Sequence, residues 1–121
     1  MKIFLAHASS FDFKDKLYKP LRESELNNLH EIFLPQETDK EVITKDIIGT
    51  CGLVIADVSH PSTGMGIELG WANVQNVPIV CIYEKGSTPS SALTYICDKF
   101  LMYTDHENMI EDITGVLKQY E

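Results

Sequence analysis

The chain has 121 residues, 44% of them hydrophobic, which is enough to bury one core but too short for two ordinary domains. We therefore expect one domain over residues 1–121. The formal net charge is −8, and the sequence contains no cluster of Lys or Arg, which argues against binding to a nucleic acid polymer. No apolar run approaches the ~20 residues that a membrane span needs, so we expect no membrane contact.

Three cysteines, Cys51, Cys81 and Cys97, are widely spaced and lie in apolar contexts. An odd number in such contexts is typical of reduced core thiols rather than of disulfides or a metal site. We therefore expect a cytoplasmic protein. The chain has neither the His and Cys spacing of a metal centre nor a complete phosphate-loop motif, so we expect no metal and no cofactor.

Apolar segments with the length of strands alternate with segments of helical periodicity along the whole chain. The predicted strands cover residues 3–7, 30–34, 52–58, 77–83 and 100–103, and the predicted helices cover 11–28, 38–50, 64–76, 91–98 and 108–120. Pro20 predicts a kink or break in the first helix. The second helix is expected to begin with Thr38 as N-cap and Glu41 as its capping-box partner, with Val42, Ile43 and Ile47 on its inner face.

This β-α alternation predicts an α/β fold, because apolar strands linked by helices form a parallel sheet that is covered on both faces. Five β-α units in about 120 residues fit a flavodoxin-like three-layer sandwich. The expected strand order of its five-stranded parallel sheet is 2-1-3-4-5.

The most informative segment runs from Asp57 to Ala72, where the third strand ends and the third helix begins. In an open parallel sheet, ligands bind outside the carboxyl ends of the strands, so this segment is expected to border a ligand crevice. Gly64 and Gly66 allow the backbone to approach a ligand closely, and Glu68 adds a carboxylate near the start of the helix. The loop after the first strand, which contains His7 and Ser9, is a second candidate ligand loop.

Asp46, Asp57 and Glu68 are the candidate catalytic carboxylates. A pair of carboxylates is what cleavage of a glycosidic bond requires, one as nucleophile and one at the leaving group. On spacing alone, a structural role is favoured over a catalytic one for each of the three. Glu68 suits the helix dipole, Asp46 suits a solvated helix face, and Asp57 suits the end of a strand.

The sequence Gly64-x-Gly66-x-Glu68-Leu69-Gly70-x-Ala72, which follows an apolar strand, resembles the nucleoside 2-deoxyribosyltransferase-like superfamily. This superfamily includes the 2'-deoxynucleoside 5'-phosphate N-hydrolases. The resemblance implies that Glu68 attacks the anomeric carbon and that Asp46 orients the sugar and assists proton transfer to the base. The implied reaction is cleavage of an N-glycosidic bond through a covalent glycosyl-Glu68 intermediate, followed by hydrolysis or by transfer to another base.

The same resemblance implies which residues bind a nucleoside or its 5'-monophosphate. Ser62, six residues before Glu68, matches the phosphate-binding serine of the hydrolases, and Ser91 in Ser91-Ala92-Leu93 matches a second one, which comes from a neighbouring subunit. A homodimer or a higher homo-oligomer is therefore expected. The other predicted substrate contacts are Gly64, Gly66, His7 and Ser9.

Two alternatives remain open at this point. Residues 3–10 with Asp12 resemble the first strand and loop of TIR-like domains, which would imply cleavage of the nicotinamide bond of NAD. Alternatively, the same crevice could bind a nucleotide without cleaving it, as a non-catalytic interaction module.

Overall fold

The computed structural model describes all residues from 1 to 121, and its centre is a five-stranded sheet in the order β2-β1-β3-β4-β5. Every neighbouring pair of strands is parallel. The strands are β1 Lys2–His7, β2 Glu31–Phe33, β3 Leu53–Asp57, β4 Ile79–Glu84 and β5 Phe100–Tyr103. The predicted α/β fold and strand order are therefore confirmed.

Helices cover both faces of this sheet. They are α1 Lys19–Glu23, preceded by a π-helical turn Lys14–Tyr18, then α2 Leu26–Leu29, α3 Thr44–Gly49, α4 Thr63–Val74, a 3₁₀ helix Ser91–Tyr95, and α5 His106–Leu117. None of them is both long and apolar enough to cross a membrane.

Two separate cores lie on the two faces of the sheet, because successive side chains of a strand point to opposite faces. In β1, Ile3 and Leu5 pack under α1, α2 and α5. Phe4 and Ala6 of the same strand pack under α3 and α4. The three inner strands β1, β3 and β4 are buried on both faces along most of their length, which explains why their sequences are apolar almost throughout rather than alternating.

The predicted helix over residues 11–28 is broken into three short pieces. Pro20 lies at the start of α1, where its missing N–H costs no hydrogen bond. The chain then leaves helical geometry at Ser24, whose backbone is extended, before α2 begins. The interruption therefore lies at Ser24 and not at Pro20, because the backbone of Tyr18 and Lys19 is helical and joins the π-helical turn to α1.

The prediction of a helix over residues 38–50 is wrong in its first half, because α3 begins only at Thr44. The Thr38 hydroxyl accepts a hydrogen bond from the Lys40 N–H, a local contact that competes with helix formation. Val42 and Ile43 are 39% and 75% exposed instead of lining an inner face. The buried residue of α3 is Ile48, which packs in the same core as α4.

Candidate active site

The crevice between β1 and β3 lies where the connections of the sheet reverse direction, the usual ligand site of this architecture. His7 at the end of β1 and Asp57 at the end of β3 are register partners across it. The chain then turns over this edge and enters α4, where the Ser62 hydroxyl caps the helix by accepting the Met65 N–H at 3.2 Å. Glu68 follows in the second turn of α4.

Two adjoining cavities, of about 410 Å³ and 260 Å³, surround Glu68. They share His7, Gln36, Thr44 and Glu68, and together we name them the Glu68 cleft. The larger cavity extends under the loop that follows β2. The smaller cavity extends towards the N-terminus of α4 and brings in three more of the predicted residues, Ser9, Ser62 and Gly64.

Glu68 is half-buried, and its only hydrogen bond to the protein comes from Thr44, whose Oγ1 donates to Oε2 at 2.8 Å. Burial raises the pKa of Glu68, and the hydrogen bond from Thr44 opposes that rise. Oε1 accepts no hydrogen bond from the protein. The cleft therefore presents one carboxylate oxygen that is free to react with a ligand.

A chain of hydrogen bonds fixes the wall of the cleft beside Glu68. The His7 ring lies 2.7 Å from the Ala8 carbonyl through Nδ1 and 2.6 Å from the Tyr18 hydroxyl through Nε2. The Gln36 N–H donates to the same hydroxyl at 3.0 Å. Since the carbonyl can only accept, His7 Nδ1 carries the proton and Nε2 accepts from Tyr18.

Burial lowers the pKa of His7 and raises the pKa of Tyr18 to about 12, with the charges of Glu37 and Glu68 adding to the second effect. Both side chains are therefore uncharged at neutral pH. A second contact closes the same wall, because the Ser9 hydroxyl and the Gln36 side-chain amide exchange hydrogen bonds of 3.2 and 3.0 Å. This wall of the cleft is therefore polar and uncharged.

Stability should fall more steeply in alkali for the wild type than for Tyr18→Phe. Above pH 10 the unfolded chain loses the Tyr18 proton, whereas the folded chain keeps it until about pH 12, so the free energy of unfolding decreases as pH rises between these values. Urea unfolding at several pH values, followed by Trp71 fluorescence, measures this slope. Tyr95→Phe, at an exposed tyrosine, should keep the wild-type slope. Equal slopes for Tyr18→Phe and the wild type would contradict a raised pKa of Tyr18 in the folded chain.

Three of the predicted site residues do not line the Glu68 cleft. The Asp46 side chain is exposed and makes no hydrogen bond. It comes two residues after Thr44 in α3, so it lies on a different face of the helix from the one that meets Glu68. Gly66 is exposed on α4. Ser91 is exposed at the start of the 3₁₀ helix, which Ser90 caps by accepting the Ala92 N–H.

Asp57, the third candidate carboxylate, is buried and has a structural role. Its carboxylate accepts the Ser59 N–H at 3.0 Å and the Tyr103 hydroxyl at 2.6 Å. It thus closes the turn after β3 and ties β3 to β5, which agrees with its interpretation as the end of a strand.

Thr44 and Gln36 line the cleft, but the sequence did not assign them to it. Gln36 carried a weak signal, since it follows β2 at the carboxyl edge of the sheet. Thr44 carried none, because the predicted helix over residues 38–50 placed it inside a helix, where a threonine indicates no particular role.

No protein-family model matches the chain. Two curated relatives are named "Putative 2'-deoxynucleoside 5'-phosphate N-hydrolase 1". The protein from Syntrophotalea carbinolica is 41% identical over 44 residues, which are 36% of this chain and 31% of the relative. The protein from Methanosarcina barkeri is 30% identical over 82 residues, 64% of this chain and 52% of the relative.

A third relative, 5-hydroxymethyl-dUMP N-hydrolase from Esox lucius, is 28% identical over 88 residues, which are 70% of this chain and 61% of the relative. The chain thus matches less than two thirds of the length of each of these relatives.

Two solved structures share the fold over nearly their whole length. The CMP N-glycosidase of Clostridium botulinum has a TM-score of 0.67 at 20% identity and covers 94% of this chain and 99% of its own. A conserved protein from Enterococcus faecalis V583 has a TM-score of 0.63 at 17% identity, with 96% and 98% covered. The strand order and the named relatives together fit the nucleoside 2-deoxyribosyltransferase-like superfamily that the motif around Glu68 resembles.

Proposed function

We propose that this protein cleaves the N-glycosidic bond of a nucleoside 5'-monophosphate, with Glu68 as the nucleophile. The observation that carries the proposal is a half-buried carboxylate at the carboxyl edge of the sheet, with one oxygen held by Thr44 and the other open to the cleft. The names of the curated relatives, all N-hydrolases of nucleotides, support the same reaction class.

The reaction has two displacements at one carbon. Glu68 Oε1 forms a bond to the anomeric carbon while the bond from that carbon to the base nitrogen breaks, and its electron pair leaves with the base, which takes a proton from solvent. Water then attacks the same carbon, the bond to Oε1 breaks, and the water proton goes to solvent. The products are free base and sugar phosphate, with the anomeric configuration retained. Transfer differs only in that a second base replaces the water.

The smaller cavity of the cleft suits the 5'-phosphate. It is lined by Ser9, Ser62 and Gly64 and by no Lys or Arg, so neutral donors would hold the phosphate. Ser62 uses its oxygen to accept the Met65 N–H, which leaves its hydroxyl proton free to donate. The N-terminus of the twelve-residue α4 adds free N–H groups and a partial positive charge.

We place the reaction in a reducing compartment such as the cytoplasm. Cys51, Cys81 and Cys97 are all free and buried, the usual state of cysteines in such compartments. The expected substrate is therefore a small nucleotide of the intracellular pool.

We also propose that a second copy packs on the outer face of α4 and supplies Ser91 to the cleft. Val74 is 80% and Ile67 is 50% exposed on this face, and a Cβ at Gly70 would meet nothing within 4 Å. An apolar helix face with room for close approach suits an interface between copies.

Val74→Asp should therefore shift the protein from dimer to monomer, whereas Val74→Thr should leave the dimer in place. Burying an unpaired carboxylate in an apolar interface is costly, so we expect the dissociation constant of the dimer to increase at least about tenfold. Size-exclusion chromatography with light scattering measures the mass. A wild-type protein that is monomeric at tens of micromolar and releases base at full rate would refute this part of the proposal.

The test of function is a release assay. The protein is incubated with nucleoside 5'-monophosphates, the matching nucleosides and NAD, and free base is detected by chromatography. Base from a monophosphate supports the proposal. Nicotinamide from NAD would assign the cleft to dinucleotide cleavage, and a thermal shift with nucleotides but no released base would make the protein a binding module.

A further inference from the structure

Thr44 makes a contact that its position in the helix does not explain. It is the first residue of α3, whose N-cap position carries no side-chain cap. Instead of serving its own helix, the Thr44 hydroxyl crosses to the neighbouring helix and donates to Glu68 Oε2 at 2.8 Å. α3 and α4 pack against each other, and Ile48 and Leu69 are fully buried in the core that the two helices share.

No other group of the protein competes for this role. Neither the salt bridge of Arg22 with Glu37 nor the contact of His30 with Glu121 involves Glu68. The neighbouring polar groups of His7 and Tyr18 are already satisfied by each other, by Ala8 and by Gln36.

We propose that Thr44 is a positioning residue for Glu68, whose hydroxyl holds Oε2 and so leaves Oε1 as the oxygen that attacks the anomeric carbon. The proposal rests on the function proposed above and adds to it the group that selects the reacting oxygen. A hydrogen bond to a charged acceptor is directional and contributes more than one between neutral groups, so one contact suffices to fix the carboxylate plane.

The same contact serves both chemical steps. In the covalent intermediate Oε2 is the carbonyl oxygen of the ester, and it still accepts from Thr44. When the bond from Oε1 to the anomeric carbon breaks, negative charge returns to the carboxylate, and the hydroxyl stabilises it. A hydroxyl cannot replace a carboxylic acid as a proton donor to the base, so that proton comes from solvent.

The first test compares Thr44→Val, Thr44→Ser and Thr50→Val. Thr44→Val removes the donor at nearly constant shape, so kcat should fall about 10- to 100-fold, and the acidic limb of the pH profile of kcat/KM should move to higher pH. Thr44→Ser keeps the hydroxyl, so its kcat and the acidic limb of its pH profile should stay close to those of the wild type. Thr50→Val is the matched control, because the Thr50 hydroxyl lies at the other end of α3 and donates to the Ile47 carbonyl.

The second test does not require turnover. The Glu68 carboxyl carbon is followed by NMR titration of protein labelled with ¹³C-glutamate, with Glu68→Gln to assign the signal. We expect the Glu68 midpoint to move to higher pH in Thr44→Val and to stay in Thr44→Ser and Thr50→Val. An unmoved midpoint in Thr44→Val would overturn the positioning role, even if Glu68→Gln abolished base release. A moved midpoint in a protein that releases no base would keep the contact and refute the proposed function instead.

Discussion

Glu68→Gln is expected to reduce base release roughly 10³-fold or more, because it removes the nucleophile and leaves only binding to accelerate the reaction. The amide keeps the size of the side chain and can still accept the Thr44 hydrogen bond. Steady-state release from the best monophosphate of the panel measures the loss. Turnover within a few-fold of the wild type would exclude Glu68 as the nucleophile.

The melting temperature of Glu68→Gln is the control for its loss of activity. Because burial raises the pKa of Glu68, the folded chain binds this proton more tightly than the unfolded chain, and wild-type stability increases as pH falls through the folded-state pKa. The ionised carboxylate therefore destabilises the folded chain, and Glu68→Gln should melt at an equal or higher temperature. Lost activity together with a lower melting temperature would mean structural damage rather than lost chemistry.

Phe4→Ala should have the largest effect on stability, about 3–5 kcal/mol in the free energy of unfolding. Phe4 is fully buried in β1, an inner strand, and its ring stacks on Phe33 of β2 with centroids 5.6 Å apart. Total stabilities of domains are only about 5–15 kcal/mol, so the variant should be close to unfolding. Urea denaturation measures the change.

Leu29→Ala is the matched control for Phe4→Ala, since the Leu29 side chain is exposed on α2. Its effect should stay within about 0.5 kcal/mol. If Phe4→Ala cost less than about 1 kcal/mol, β1 would not lie at the centre of the sheet, and the position of His7 at its end would be wrong as well.

The inner strands could be predicted because they are buried on both faces and so appear as continuous apolar runs between helical segments. β1 and β3 illustrate this, since the predicted strands 3–7 and 52–58 match the observed strands within one residue. The start of α3 could not be predicted in the same way. Whether residues 38–43 extend a helix or cross the cleft depends on tertiary contacts, and the Thr38 and Glu41 pattern of a capping box points to the wrong answer.

The same difference between strands and α3 determines which site residues could be predicted. Glu68, Ser62, Gly64, His7 and Ser9 lie at or after the carboxyl ends of strands, where the rule for ligand sites in parallel sheets expects a crevice, and they line one cavity. Asp46 and Thr44 differ by two positions in a helix, which is enough to turn one towards Glu68 and the other to solvent. Only the observed phase of α3 distinguishes them, so the expected role of Asp46 receives no support from the geometry.

The most direct test of the central claim is intact-mass and peptide mass spectrometry of the protein, quenched with acid during turnover of a nucleoside 5'-monophosphate. We expect an added mass equal to the sugar phosphate on the peptide that contains Glu68, and none in Glu68→Gln. Base released at full rate from a protein whose Glu68 stays unmodified, with turnover persisting in Glu68→Gln, would contradict a covalent reaction at this carboxylate.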